Sequence, residues 1–428
     1  FHPALGGIFS RMKFFITISI LLLGVLVINA REVEGLILEL GSGDKVKRRE
    51  AARSLALLGP AAKAAVPALI KGLDDDEEQV FFWSATALAN IGPDAYEATP
   101  ELIKRLKRSR RRYKDQVHVR IVHALTQIGP QAVPQLTEAL GSEESSVRLR
   151  AVRVLGNLGP ASHEIASRLF ELLADESDSV RSAAGSALGR IGEEAYQQII
   201  QGLSAESANV RAAAAQGVIW IPSRSPPAMH LAKLLANELD SQVRIAGLNS
   251  LNRIGFDSER MIPLLLPALD SEESDLKQEG LSGILSLRPD GKAAVPHLIK
   301  RLLVDDPTKR KQAIDLLGRM GNDAVVAVPK LIAVLGQSDE SEKHIIQNAL
   351  IEIGTAAIPS LLESAKDIPL AKLMRETWQT ECIGSIGIQA VSSLTSALKK
   401  HPDNGAGLLS LVALNKIGDK SLSTRQAI

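Results

Sequence analysis

Between Ser179 and Gly192 the chain reads SVRSAAGSALGRIG, and its apolar positions Val180, Ala183, Ala184, Ala187, Leu188 and Ile191 fall at helical spacing. That spacing puts them on one face of a helix; the period of two that a strand would need is missing. Gly192, placed directly after the last apolar residue, predicts a helix end with a left-handed backbone turn. Variants of this stretch recur along most of the chain. They close at Gly59, Gly92, Gly129, Gly159, Gly192, Gly255, Gly321, Gly354, Gly387 and Gly418, with Pro222 and Arg288 in the glycine's place in two further copies. Most steps are 33 residues, while Gly129 to Gly159 and Gly192 to Pro222 are 30 and Gly92 to Gly129 is 37.

A second signal lies between the copies, as in GPAAKAAVPALIKGL from Gly59 to Leu73. Pro60 suits a helix start, and Pro67 predicts a kink in the helix it interrupts. Pro100, Pro134, Pro263, Pro296, Pro329 and Pro359 repeat it. Each unit is thus expected to be a kinked helix A, an acidic loop and a straighter helix B. A period in the thirties with two helical runs predicts an all-α, right-handed α-solenoid of about twelve helix pairs.

The pattern G-P-x-A-x-x-A-V-P-x-L, an acidic loop, then V-R-x-x-A-x-x-A-L-x-x-I-G resembles HEAT repeats over roughly residues 32–428. It looks most similar to the short HEAT-like units also found in phycobilisome (PBS) lyase proteins. The resemblance implies that helix B lines the concave face. It also implies that the arginine after the valine joins acidic loop residues in a ladder between neighbouring units. That column reads Arg48, Arg148, Arg181, Arg211, Arg244, Lys277, Arg310 and Lys343, and fails at Phe81, His118, Glu376 and Gly407.

With helix B numbered from its valine (position 1) to its glycine (position 13), positions 4, 7 and 11 are usually polar and share one stripe. All three tryptophans lie there: Trp83 and Trp378 at position 4, Trp220 at position 11. From the third to the seventh unit the stripe carries Arg120, Arg150, Arg153, Arg190 and Arg253 and no acid, whereas Glu279, Asp315, Glu352 and Glu381 come later. Tryptophan and arginine concentrate binding energy at interfaces. The expected partner-binding set is therefore Trp83, Arg120, Arg150, Arg153, Arg190, Trp220, Arg253 and Trp378, and the expected ligand an acidic protein or peptide segment.

Composition narrows the classes. The 428 residues are 45% hydrophobic, 23% charged and only 3% aromatic, which predicts a core of Leu, Ile, Val and Ala. A net charge of +1 gives no global pull toward nucleic acid. Cys382 stands alone, so no internal disulfide or thiolate metal cluster is available. The run from Lys104 to Lys114 (KRLKRSRRRYK) holds eight basic residues in eleven and suits an anionic membrane surface or an acidic protein, or is simply a solvated loop.

Near the start, Met12-Lys13 precedes an apolar run from Phe14 to Ile28 and then Asn29-Ala30, the layout of a signal peptide or an N-terminal membrane anchor. Residues 1–11 read as upstream translation or the end of a fragment. The expected organisation is residues 1–30 as leader or anchor and 31–428 as one repeat array. The array is expected outside the cytoplasm, in the periplasm or cell envelope, released or tethered.

No phosphate-binding glycine loop, nucleophile elbow or H-E-x-x-H zinc motif occurs. Only one His-Glu pair, His163-Glu164, is present, against the several that HEAT-type di-iron hydroxylases resembling deoxyhypusine hydroxylase use. The expectation is a non-enzymatic scaffold with no metal and no cofactor. The alternatives are a PBS-lyase-like chromophore lyase or, if the chain is cytosolic, a nucleic-acid-binding HEAT-like protein.

Overall fold

The computed structural model describes residues 31–107, 114–287, 290–367, 378–401 and 404–418. The leader or anchor, Arg288, Glu376 and most of the Lys104–Lys114 run lie outside the described residues, as does the side chain of His118. The chain divides into two compact units, residues 1–230 and 231–428. Every element among the described residues is helical.

In the first unit the long helices are α1 (Lys45–Leu58), α3 (Glu78–Ile91), α5 (Lys114–Ile128), α7 (Ser145–Leu158), α9 (Asp178–Ile191) and α11 (Ala208–Gly217). Between them lie the shorter α2 (Val66–Gly72), α4 (Thr99–Lys107), α6 (Val133–Ala139), α8 (Ala166–Glu171) and α10 (Tyr196–Leu203). Each long helix packs on the next long helix, and each short one on the long helix that follows it, so the hairpins stack in chain order. The apolar periodicity lands where it should: Val180, Ala184, Ala187, Leu188 and Ile191 of α9 are all buried. The second unit repeats the plan with long helices Ser241–Arg253, Ser274–Ser286, Pro307–Arg319, Glu340–Ile353, Trp378–Ile386 and Gly405–Gly418.

Two details depart from the sequence-based expectation. Ser258–Leu269 carries Pro263 and Pro267 inside one α-helix, but elsewhere helix A is typically a 3₁₀ segment such as Gly59–Ala65 followed by a short α-helix, and Pro67 sits in the first turn of that α-helix. A first-turn residue has no backbone partner four residues back, so the missing N–H costs nothing there. The closing glycines do have positive φ, at Gly59, Gly92, Gly129, Gly159, Gly192, Gly255, Gly321, Gly354 and Gly387. At Gly59, Gly92, Gly159, Gly192 and Gly354 ψ lies between −130° and −144°. That is the mirror-β region rather than the left-handed helical one, and it is open in practice only to glycine.

The arginine ladder is present. Arg48 forks onto Asp75 at 2.8 and 3.0 Å, touches Asp76 at 2.9 Å, and donates its remaining Nη1 to the carbonyls of Ser42 and Gly43. One hundred residues later Arg148 repeats the set, forking onto Asp175 at 2.8 and 2.9 Å and reaching Glu176, Ser142 O and Glu143 O. Arg181 and Arg211 keep the carbonyl half of the pattern, to Asp175 and Glu176 and to Ala205 and Glu206. Where Phe81 replaces the arginine, its ring is buried, and Arg105 of α4 reaches back to Asp74 from a buried position.

Burial pushes the Asp175 carboxyl up, but Arg148 and the backbone N–H of Ser177 outweigh it and hold Asp175 below the usual carboxylate range. A carboxylate depressed in the folded state stabilises the fold above its unfolded pKa, and that stabilisation is lost as pH falls through the folded value. Asp175→Asn should therefore lower stability at pH 7 by about 2–3 kcal/mol, the cost of leaving a buried guanidinium short of a partner. Urea unfolding at pH 7 and again below pH 4 checks this, with the gap between variant and wild type expected to close in acid.

Candidate functional site

Along the long helices of the first unit, positions 4, 7 and 11 face away from the packed core except at Ala213, which is buried against α9. Arg120 and Arg150 are half-buried, Arg153, Asn157 and Trp220 exposed, and Arg190 half-buried. Position 3 belongs to the same face, since Phe82 and Ser182 are half-buried there. The stripe is thus one column wider than the polar pattern predicts.

Two clusters of arginine and aromatic rings form on this face. In the first, Phe82 and Trp83 meet edge to face at 5.1 Å. Arg53 of α1 lies over the Trp83 ring at 5.7 Å, and Arg120 of α5 over the Phe82 ring at 4.4 Å. In the second, the Arg190 guanidinium stacks on Trp220 at 3.9 Å and donates to Asn157 Oδ1 at 2.5 Å. Cation–π contacts of this kind fix the plane of the guanidinium while leaving its charge in place.

The second cluster borders a groove of about 430 Å³, open to solvent, formed by α5, α7, α9 and the end of α11. Arg153, Asn157 and Arg190 contribute charge and amide groups, and Ser179, Ser182 and Ser186 contribute hydroxyls from α9. Val122, Val152 and Ala187 give apolar wall, and among the described residues no acidic side chain lines the groove.

Backbone contact between α9 and α11 sets this geometry. A Cβ on Gly185 would land on the carbonyl of Ala213, and one on Gly189 on the carbonyl of Gly217. Beyond Gly217 the helix tightens into a 3₁₀ turn, Val218–Trp220, before extended Ile221. Trp220 is 49% exposed and leans over α9, whose Gly189 would put a Cβ 3.1 Å from the Trp220 Cβ.

The remaining sequence-predicted residues separate from this site. Arg150 is near the groove but donates to the carbonyl of Leu106 at 2.5 Å, and burial pulls its pKa down. Arg253 is exposed and Trp378 half-buried, both in the second unit. Arg120, Arg153, Arg190 and Arg253 form no ion pair among the described residues, in contrast to Arg48 and Arg148. Sequence reasoning missed Arg53, Phe82, Ser179 and Ser182. Arg53 occupies position 7 of the first repeat, the same column as Arg153, and extending the stripe by one copy would have found it.

Among the described residues no group of three or more His, Cys, Asp or Glu side chains could hold a metal ion. The lone thiol of Cys382 is buried, and burial, helped by Glu381, pushes it up to about 12, far from a thiolate nucleophile at neutral pH. Within the Lys104–Lys114 run, Lys104 pairs with Glu101 at 3.0 Å and Arg105 pairs with Glu101 at 3.3 Å as well as with Asp74.

The family described as HEAT repeats matches residues 33–117, 99–189, 133–218 and 166–252. No curated protein matches the sequence. Among solved structures the chain is similar to a Kap121p mutant, with 15% identity and a TM-score of 0.48 over 93% of this chain and 54% of that one. It is also similar to importin beta, with 16% identity and a TM-score of 0.41 over 92% and 64%. A Kap95p structure, described with RanGDP and nuclear import complex assembly, gives 14% identity and 0.44 over 92% and 63%. The chain therefore spans about half to two thirds the length of these proteins, and likeness at this level reports the fold alone.

These findings correct two expectations. The likeness to PBS-lyase repeats is not upheld, because the family that matches is described as HEAT repeats in general. A short repeat consensus dominated by core positions carries too little information to single out one branch of the family. The extracytoplasmic location is likewise not upheld: one of the similar solved chains is described with nuclear import complex assembly, a likeness of fold that assigns this chain no location of its own. That expectation rested on the apolar run 14–28, which lies outside the described residues. The two helical runs apolar enough to cross a membrane, Lys45–Gly72 and Glu340–Glu363, each join a long helix to the next short one and are partly buried in the stack.

Gly189→Ala should drive a methyl into the Gly217 carbonyl, costing about 1–3 kcal/mol and pushing α11 away from α9. Denaturant unfolding measures the loss. In a Trp83→Phe/Trp378→Phe background, the emission of Trp220 should shift as its contact with Arg190 loosens.

Proposed function

Because this chain belongs to the HEAT-repeat family, we propose that it is a non-enzymatic adaptor that holds an acidic segment of a partner protein on the long-helix face of its first unit. The observation that carries the reading is the sorting of arginines. Arg48 and Arg148, which tie neighbouring repeats together, are saturated by loop carboxylates and carbonyls, while Arg120, Arg153 and Arg190 on the stripe form no ion pair among the described residues, and Arg153 and Arg190 line a groove whose described lining holds no acid. An unpaired guanidinium is a ready partner for a carboxylate, and the forked geometry favours two parallel hydrogen bonds. Trp220, exposed at the groove rim, and Trp83, packed between Arg53 and Phe82, supply apolar anchors beside the charges.

Arg150 contributes positive potential close to Arg153, although its guanidinium is directed to Leu106 O. Arg253 and Trp378 are proposed to offer contacts of the same kind on the second unit. An anionic membrane surface is the weaker reading for the Lys104–Lys114 run, since Lys104 and Arg105 are committed to Glu101 and Asp74.

The test is a fluorescently labelled peptide rich in Asp and Glu with a central leucine, titrated with the full chain and compared with its Asn/Gln counterpart. The acidic peptide should bind and weaken as salt is raised, because exposed charges contribute much of the attraction. Trp220→Ala should cost about tenfold or more in affinity, mostly through faster dissociation. Arg120→Glu with Arg153→Glu should mainly slow association. Wild-type affinity in both variants would show that another surface binds.

A further inference from the structure

The groove beside Trp220 holds more hydrogen-bond donors than an acidic side chain can use. Resting on the adaptor reading above, we propose that it is the seat for a phosphorylated side chain of the partner segment.

Ser179, Ser182 and Ser186 stand at i, i+3 and i+7 on one face of α9, so their hydroxyls line one side of the groove. None of the three side chains hydrogen-bonds within the described residues, whereas Thr86, Thr126 and Ser204 each donate to the carbonyl four residues back. Across from them, Asn157 Oδ1 accepts from Arg190. A guanidinium can only donate, so the carboxamide oxygen must face Arg190, and the amide NH₂ is left to donate elsewhere. Arg190 is held flat on Trp220, with its Nε buried and without a partner. Arg153 adds a second unpaired guanidinium at the rim.

Three hydroxyls, one amide and two guanidinium groups therefore border a space with no carboxylate. A carboxylate offers two oxygens and is satisfied by one arginine fork. A phosphomonoester offers three strongly accepting oxygens and close to two negative charges, and it can engage both guanidinium groups and the hydroxyls together. The groove, at about 430 Å³, exceeds the needs of a phosphate alone. Its apolar wall of Val122, Val152 and Ala187 leaves room for a neighbouring aliphatic residue of the same segment. Charge complementarity thus selects a phosphorylated peptide rather than a free anion.

The experiment uses the full chain and three labelled peptides that share one acidic, leucine-containing sequence and differ only in a central phosphoserine, glutamate or serine. The phosphoserine peptide should bind about tenfold or more tighter than the glutamate peptide, as charge-assisted contacts to phosphate outnumber those to carboxylate. Ser182→Ala combined with Ser186→Ala is benign for a helix, which a thermal melt verifies. The pair should remove most of that preference, bringing the ratio of phosphoserine to glutamate affinity to within about twofold, since the guanidinium forks serve both peptides.

Equal affinity for phosphoserine and glutamate overturns the phosphate seat and leaves the adaptor reading standing. A preference that survives the double alanine variant also overturns it. Loss of binding for all three peptides removes both readings. Inorganic phosphate should compete only at millimolar concentration; tight binding of phosphate, or of vesicles containing a phosphoinositide, without binding of the phosphopeptide assigns the groove to another source of the same anion and overturns the proposal.

Discussion

A guanidinium removed from water costs several kcal/mol unless its N–H groups are met by acceptors held in place. Arg48 and Arg148 are met completely, each by a forked aspartate from the following loop and by two carbonyls of the preceding one. The contact ties three things at once: the start of a long helix, the loop before it and the loop of the next repeat. Asp75 and Asp175 are fixed in turn by accepting the backbone N–H two residues on. Stacking of hairpins by apolar faces alone leaves their register free to slide, because Leu, Ile, Val and Ala substitute for one another with small penalties. The fork admits one register only.

That constraint also explains why arginines mean different things at different helical positions. At position 2 of a long helix the side chain reaches back over the loops and is consumed there. At positions 4, 7 and 11 it rises from the opposite edge of the helix, where no loop carboxylate is within reach and the neighbours are the same columns of the adjoining helices. There Arg120 and Arg190 find aromatic rings instead, and Arg53 lies over Trp83 while also pairing with Glu50 at 3.8 Å. A ring face holds the guanidinium without neutralising it. The fold thus spends one set of arginines on its own register and keeps another set charged toward solvent.

Much of the fold was legible from the sequence because it depends on one-dimensional signals. The apolar period of α9, the glycines that stop the long helices and the arginine column each act within a few residues or one repeat, and each appears where the spacing puts it. Pro67 was read as a kink because proline in a helix usually is one; that a 3₁₀ segment precedes it, placing it in a first turn, depends on local geometry the letters do not carry. The site was legible as a stripe but not as a groove. Stacking of Arg190 on Trp220 joins residues 30 apart through the distance between two helix axes, and that distance is set by Gly185, Gly189 and Gly217, whose role is visible only once their backbones meet. The turn of Arg150 toward Leu106 was equally hidden, since a stripe assignment says which way a Cβ points and not where a long side chain ends.

In the first unit, the repeat that lacks the closing glycine is the one that builds the groove's rim. Long helices elsewhere in the first unit end in a glycine with positive φ, which reverses the chain directly into the next helix A. Pro222 stands at that place after α11, and a proline ring holds φ near −65°, so the glycine exit is closed to it. The chain leaves instead through the tighter turn Val218–Trp220 and extended Ile221, in a step three residues shorter than the usual 33. A 3₁₀ turn advances each residue by 120° rather than 100°, so the position-11 side chain is rotated relative to its counterparts on α7 and α9. With the α9 and α11 backbones in contact through glycine, the rotated indole has Arg190 directly beneath it. An unbroken consensus at this junction would have given a sixth copy of the exit and an ordinary polar residue at the rim. The departure from local rules and the position of the exposed tryptophan are therefore one event, which is where a repeat protein made otherwise of interchangeable units acquires a distinct surface.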